Sequence, residues 1–108
     1  MSKDAYVKGW KKLYIWNRKI MSARFSFSKH AEERLASRGL SKDLVLEVLG
    51  NPDKIIPLDS SLLIYQKIVI EVDKKYLYRV FINQDLDPKL IVTVYKTSKI
   101  EKYENQIW

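Results

Sequence analysis

His30, Arg34 and Arg38 stand four residues apart within the stretch 28–41. On a helix this spacing lines three side chains along one side. His30 is the chain's single histidine, and a neutral imidazole can take a proton from a hydroxyl. Each arginine offers five donors in a planar fork that fits a phosphate. Such a row suits an anion rather than a core. Further on, Arg79 interrupts an alternating strand pattern, and Thr93 and Tyr95 share one side of a later strand. These residue types suit metal-independent cleavage of RNA. A base takes the 2′-hydroxyl proton, an acid protonates the leaving 5′-oxygen, cations hold the phosphate, and an aromatic stacks the nucleobase. His30, Arg79 and Tyr95 are the expected catalytic residues. Arg34, Arg38, Lys67, Thr93 and Tyr65 are the expected phosphate and RNA contacts.

Each of these residues also has a purely structural use. His30 can bond a backbone carbonyl or pack between helix and sheet. Arg34 and Arg38 can pair with Glu33, Glu47 or Asp43 and lock two helices together. Arg38 also precedes Gly39, where it can satisfy terminal helix carbonyls. Arg79, Thr93, Tyr65 and Lys67 can form an ordinary solvated sheet face. A mid-strand charge such as Arg79 belongs on an open face or beside a partner.

Other chemistries find little support. One histidine, no cysteine and scattered carboxylates make no ligand cluster. Asp85-x-Asp87 lacks the rest of a calcium loop. The three glycines, at 9, 39 and 50, form no phosphate loop. No serine sits in a glycine-flanked elbow. Neither a metal nor a cofactor is expected.

The elements that must position these residues follow from capping and periodicity. Ser28 is a suitable N-cap, and Glu32 and Glu33 fall in the early turns that follow it. Gly39 stops that helix. Ser41 caps a second helix with a Leu44, Val45, Val48, Leu49 stripe, ended by Gly50-Asn51-Pro52. Beyond Pro52 the pattern turns to strands. Lys54–Leu58 reads as an edge strand, because Pro57 cannot donate to a ladder. Leu62–Val72, Tyr76–Asn83 and Leu90–Thr97 read as longer strands joined by Asp73-Lys74-Lys75 and the loop 84–89. Short turns require antiparallel pairing. In the last strand, strict alternation puts Val92 and Val94 opposite Thr93 and Tyr95. The expected fold is α+β, with N-terminal helices on one face of an antiparallel meander of three to four strands and the other face partly open.

Composition sets the frame. A chain of 108 residues with 46% hydrophobic and 31% charged content suits one globular domain with its own core. The formal charge is +7. Of 20 basic and 13 acidic residues, six basic and one acidic fall within residues 1–22, leaving 14 against 12 in the remainder. The body is nearly neutral, so a polyanion must meet a local site or the N-terminal segment. Residues 1–22 read as a basic, aromatic helix or extension, either docked on the body or acting as an RNA or membrane-surface arm, and 23–108 as a single α+β domain. No apolar run reaches about 18 residues, and no apolar signal core opens the chain, so neither a membrane span nor export is expected. A cytoplasmic location is the expectation that goes with the lack of cysteine.

Phe27-Ser28-x-His30-Ala31-x-x-Arg34-Leu35-x-x-Arg38-Gly39-Leu40-Ser41, then Pro52, Tyr78-Arg79-Val80 and Val92-Thr93-Val94-Tyr95, resemble a small bacterial domain family of unassigned function. That family looks similar to the RelE-type toxin and barnase-like ribonucleases. The resemblance covers about residues 25–98. It implies helices packed on an antiparallel sheet, metal-independent RNA cleavage of toxin type, and neutralisation by an acidic antitoxin-like protein. A non-catalytic nucleic-acid-binding or protein-interaction module of the same fold is the alternative.

Overall fold

Ser28 fixes where the first body helix begins. Its backbone is extended, and its hydroxyl accepts from the Ala31 amide at 3.0 Å. This satisfies one of the amides that a helix start leaves open. The computed structural model describes residues 20–104, so the helix expected over 1–22 lies almost wholly outside the described residues. Residues 20–24 are helical. They lead into β1 (Phe25–Phe27) and then α1 (Lys29–Arg38). Gly39 ends α1 at φ 63, where a side chain would be strained. Ser41 caps α2 (Lys42–Gly50) through the Leu44 amide. Four strands follow: β2 (Lys54–Pro57), β3 (Leu62–Glu71), β4 (Lys74–Asn83) and β5 (Lys89–Thr97). A single turn, α3 (Glu101–Glu104), comes last among the described elements.

The fold is α+β, and its sheet is mixed and five-stranded, in the order β1-β5-β4-β3-β2. β2 to β5 pair antiparallel, as short turns require. The expected three to four antiparallel strands are corrected by β1, which pairs parallel with β5. Three residues are too few to show alternation, and a parallel partner is reached only after a long crossover. Ser28 ties this crossover to the sheet. Its amide donates to the Ile91 carbonyl at 3.1 Å, and its hydroxyl donates to the Val92 carbonyl at 2.9 Å.

Both long helices cover one face. Ala31 and Leu35 of α1 and Val45, Leu46, Val48 and Leu49 of α2 pack on Tyr65, Tyr78, Val80, Ile82, Ile91 and Val94. Each Val, Leu or Ile among them contributes about 1.5–3 kcal/mol of burial. The strict alternation expected for β5 fails at Val92. Phe81 pairs with Thr93 while Ile82 pairs with Ile91, so Val92 is the extra residue of a β-bulge. Ile91, not Val92, therefore joins Val94 in the core. Val72 and Asp73 close the β3–β4 turn at φ 47 and 63.

Candidate functional site

The alternation of β4 determines what reaches each face. Tyr78, Val80 and Ile82 enter the core beneath the helices. Leu77, Arg79 and Phe81 therefore face the other way. Gln66 stands directly across from Arg79 on β3 and is 2% exposed. Its Oε1 accepts from Arg79 Nε at 3.2 Å. On the other flank Tyr95 is the register partner of Arg79. The guanidinium carbon lies 4.4 Å from the centroid of Tyr103, in α3, and 5.6 Å from that of Phe81.

Among the described residues Arg79 forms no ion pair with a carboxylate, whereas Lys42–Glu32, Lys67–Asp53 and Lys96–Glu71 do pair. A half-buried cation without a counter-ion is expensive. Gln66 and the two rings offset part of that expense. The guanidinium has five donors; Nε goes to Gln66 and another bonds the Tyr103 hydroxyl, which leaves donors for an anion.

Tyr95 and Tyr103 meet edge to face, with centroids 6.2 Å apart. A hydrogen bond from Tyr103, a second from Thr97, and the nearby charges of Lys102 and Lys99 hold the Tyr95 hydroxyl below its ordinary pKa. The Tyr103 hydroxyl is raised, first because it is bonded to Tyr95 and then by burial. Thr93, paired with Phe81, turns a buried Oγ1 that has no hydrogen-bond partner. Beside this cluster lies a cavity of about 370 Å³, walled by Gln66, Ile68, Leu77, Ile100 and Tyr103 together with the charged residues Asp53, Lys54 and Lys67. Its size falls in the range of small-molecule sites. Gln66 and Tyr103 thus belong both to the cavity and to the surroundings of Arg79.

Three of the expected residues, Arg79, Thr93 and Tyr95, share this open face. Sequence reasoning missed Gln66 and Tyr103. Gln66 had a signal, being a polar residue in the middle of an apolar strand. A two-residue turn at 72–73 also sets its register opposite Arg79. Tyr103 had none, because only the return of α3 brings it over the sheet.

The other expected residues lie elsewhere. Ala31 and Leu35 press α1 onto the covered face, so the sheet stands between α1 and Arg79. The expected single pocket holding both His30 and Arg79 is not formed. His30 is exposed near the start of α1. Arg34 and Arg38 pair with none of Glu33, Glu47 and Asp43. They line a cavity of about 150 Å³ with Leu40, Val94, Tyr95 and Lys96.

Tyr65 and Lys67 face the helices, not the open side, as their partners Val80 and Tyr78 show. The Tyr65 ring packs edge-on against Phe25 at 6.0 Å, and burial raises its hydroxyl pKa. Lys67 Nζ donates to the Asn51 carbonyl at 2.9 Å, and Asp53 is 3.7 Å away, which closes the end of α2. Both side chains are occupied by packing and capping.

Near the 150 Å³ cavity, Lys96 Nζ meets Glu71 Oε2 at 2.7 Å and lies 4.2 Å from the Tyr76 ring centroid. The Tyr78 hydroxyl donates to the other oxygen of Glu71. Lys96 and then Tyr78 hold the Glu71 carboxyl below its ordinary pKa. Burial first, then the bond to Glu71, pushes Tyr78 up to about 12.

Fold and site together define a small α+β domain with helices on one sheet face and a basic, aromatic cluster on the other. The family described as a domain of unknown function, DUF4258, matches residues 27–96, well over half of the 108. The chain belongs to that family. No curated protein and no solved structure matches it. Among the described residues no helix is long and apolar enough to cross a membrane, and no group of three or more His, Cys, Asp or Glu is placed to hold a metal.

Proposed function

We propose that the open sheet face binds RNA and cuts it without a metal, as a toxin-type endoribonuclease. The supporting observation is Arg79: a half-buried guanidinium with no carboxylate, oriented by Gln66 and Tyr103, beside a tyrosine whose hydroxyl is more acidic than usual. The phosphate of one linkage sits on the free donors of Arg79. A neighbouring nucleobase enters the apolar cavity between Gln66 and Tyr103. The phenolate form of Tyr95, which the Tyr103 and Thr97 hydrogen bonds favour, takes the 2′-hydroxyl proton. The 2′-oxygen attacks phosphorus, the bond to the 5′-oxygen breaks, and that oxygen takes a proton from water. The products are a 2′,3′-cyclic phosphate and a 5′-hydroxyl. Arg79 stabilises the charge that builds on the phosphate oxygens during attack. An acidic antitoxin-like protein seated over Arg79, Lys99 and Lys102 would block the reaction.

A second reading is a non-catalytic RNA-binding module. The position of His30 on α1, across the sheet from this face, favours it, since the imidazole supplies no base there.

Pure protein incubated with RNA in the presence of a chelator tests the proposal. Wild type yields fragments ending in 2′,3′-cyclic phosphate, and Tyr95→Phe and Arg79→Met abolish them while melting as wild type does. RNA that is bound yet left intact establishes the second reading. Absence of both binding and cleavage removes both.

A further inference from the structure

The arginines of α1 sit on the far side of the sheet from Arg79, yet Tyr95 connects the two places. It is the register partner of Arg79 and also lines the 150 Å³ cavity with Arg34, Arg38 and Lys96. The route between them is short, because β1 pairs with β5 only as far as Ile91. Beyond it, no described strand pairs with that flank of β5.

The cavity is too small for a nucleotide but admits a single phosphate. Its charge suits one. Arg34 and Arg38 have no ion-pair partner among the described residues, whereas Lys96 is held by Glu71. Two unpaired guanidiniums one helical turn apart form a fork for phosphate oxygens.

We propose that Arg34, Arg38 and Lys96 hold a second phosphate of an RNA strand that turns round the free flank of β5, so that only single-stranded RNA fills both sites. This rests on the reading that Arg79 binds an RNA phosphate. A duplex is stiff and keeps its phosphates on the outside of a wide cylinder, so it cannot fold round a strand edge. A single strand can. Glu71 is an internal competitor, since it occupies the ammonium of Lys96 whenever no phosphate is present.

The test uses the full chain and a fluorescent oligouridine, with a duplex RNA of equal length alongside. Anisotropy gives the affinity over a range of salt. Wild type prefers the single strand. In Arg34→Gln/Arg38→Gln the affinity falls about tenfold, the loss expected for charge-assisted bonds to one phosphate. The slope of log affinity against log salt shrinks by about 0.7, the share of one contact on a single strand. Arg34→Lys/Arg38→Lys keeps most of the slope, which separates charge from packing. Glu71→Gln frees Lys96 and steepens the slope. Equal affinity for duplex and single strand, or an unchanged slope in the double glutamine variant, overturns the proposal. An unchanged slope in Glu71→Gln removes Lys96 from the site.

Arg79→Met distinguishes the two claims. If it loses binding while the double variant does not, the second phosphate site is wrong and the open-face reading survives. If only the double variant weakens binding, the open-face reading fails and the cavity remains an anion site.

Discussion

Replacing Tyr78 by Phe removes one hydroxyl from a core position that is 1% exposed. That hydroxyl donates to Glu71. A hydrogen bond to a charged group contributes about 1.5–3 kcal/mol. Glu71 and Lys96 are 31% and 28% exposed, so water competes and the low end applies, about 1.5 kcal/mol. The loss depends on pH, and its sign follows from the raised pKa. Tyr78 shifts from 10.0 to about 12 on folding. Below about pH 10 both states keep the proton and the full contribution is present. Between the two values the unfolded chain loses its proton first, so stability falls as pH rises. By about pH 11 wild type has lost close to one pKa unit of linkage, about 1.4 kcal/mol. Tyr78→Phe has no such proton to lose. Urea unfolding of both proteins from about pH 8 to pH 11 measures the gap. The other titrating groups largely cancel in the difference; Lys96, raised first by Glu71 and in part by Tyr78, adds to wild type a loss of the same sign as pH rises. The gap shrinks from about 1.5 kcal/mol to near zero. A constant gap over that range refutes the buried, bonded tyrosine.

Ser28→Ala removes the N-cap of α1 and the donor to the Val92 carbonyl; urea unfolding then shows a loss of about 1–2 kcal/mol. Val72→Asn relieves a β-branched residue at φ 47 that is 98% exposed, and raises stability by about 0.5–1 kcal/mol, read as a higher melting temperature. Gln66→Leu keeps the size of a buried side chain but frees Arg79 Nε; RNA affinity falls while the melting temperature stays within a few degrees. A fall in melting temperature with RNA affinity retained assigns Gln66 to the core alone.

Much of the scaffold is legible because it depends on local chemistry. Ser28, Gly39 and Ser41 mark helix ends by what their side chains, or the lack of one, do to neighbouring amides. The hairpins follow from alternation, although the turn expected at Asp73-Lys74-Lys75 falls at Val72-Asp73, with Lys74 and Lys75 already paired in β4. Where the outcome depends on a distant partner, the sequence is silent. Residues 23–27 read as extended or a short strand, but the parallel pairing of β1 depends on β5 lying beside it. The bulge at Val92 is not visible in Ile91-Val92-Thr93-Val94, where each residue suits either face. The site divides in the same way. Alternation groups Arg79 with Phe81, and Thr93 with Tyr95, and the structure places all four on the open face. The face on which α1 lies depends on packing, so the spacing of His30, Arg34 and Arg38 reveals a row but not its side of the sheet. Tyr65 and Lys67 share a face as expected, but it is the face that the helices cover.

The central claim is that an RNA phosphate meets Arg79 beside Tyr95. Titrating a short single-stranded RNA into isotope-labelled protein, and following the Arg79 side-chain Nε–H signal with the backbone amides, tests it most directly. The account predicts that this signal moves first and furthest, together with amides of Gln66, Phe81, Tyr95 and Tyr103. Saturating RNA that shifts other surfaces and leaves the Arg79 signal in place contradicts it.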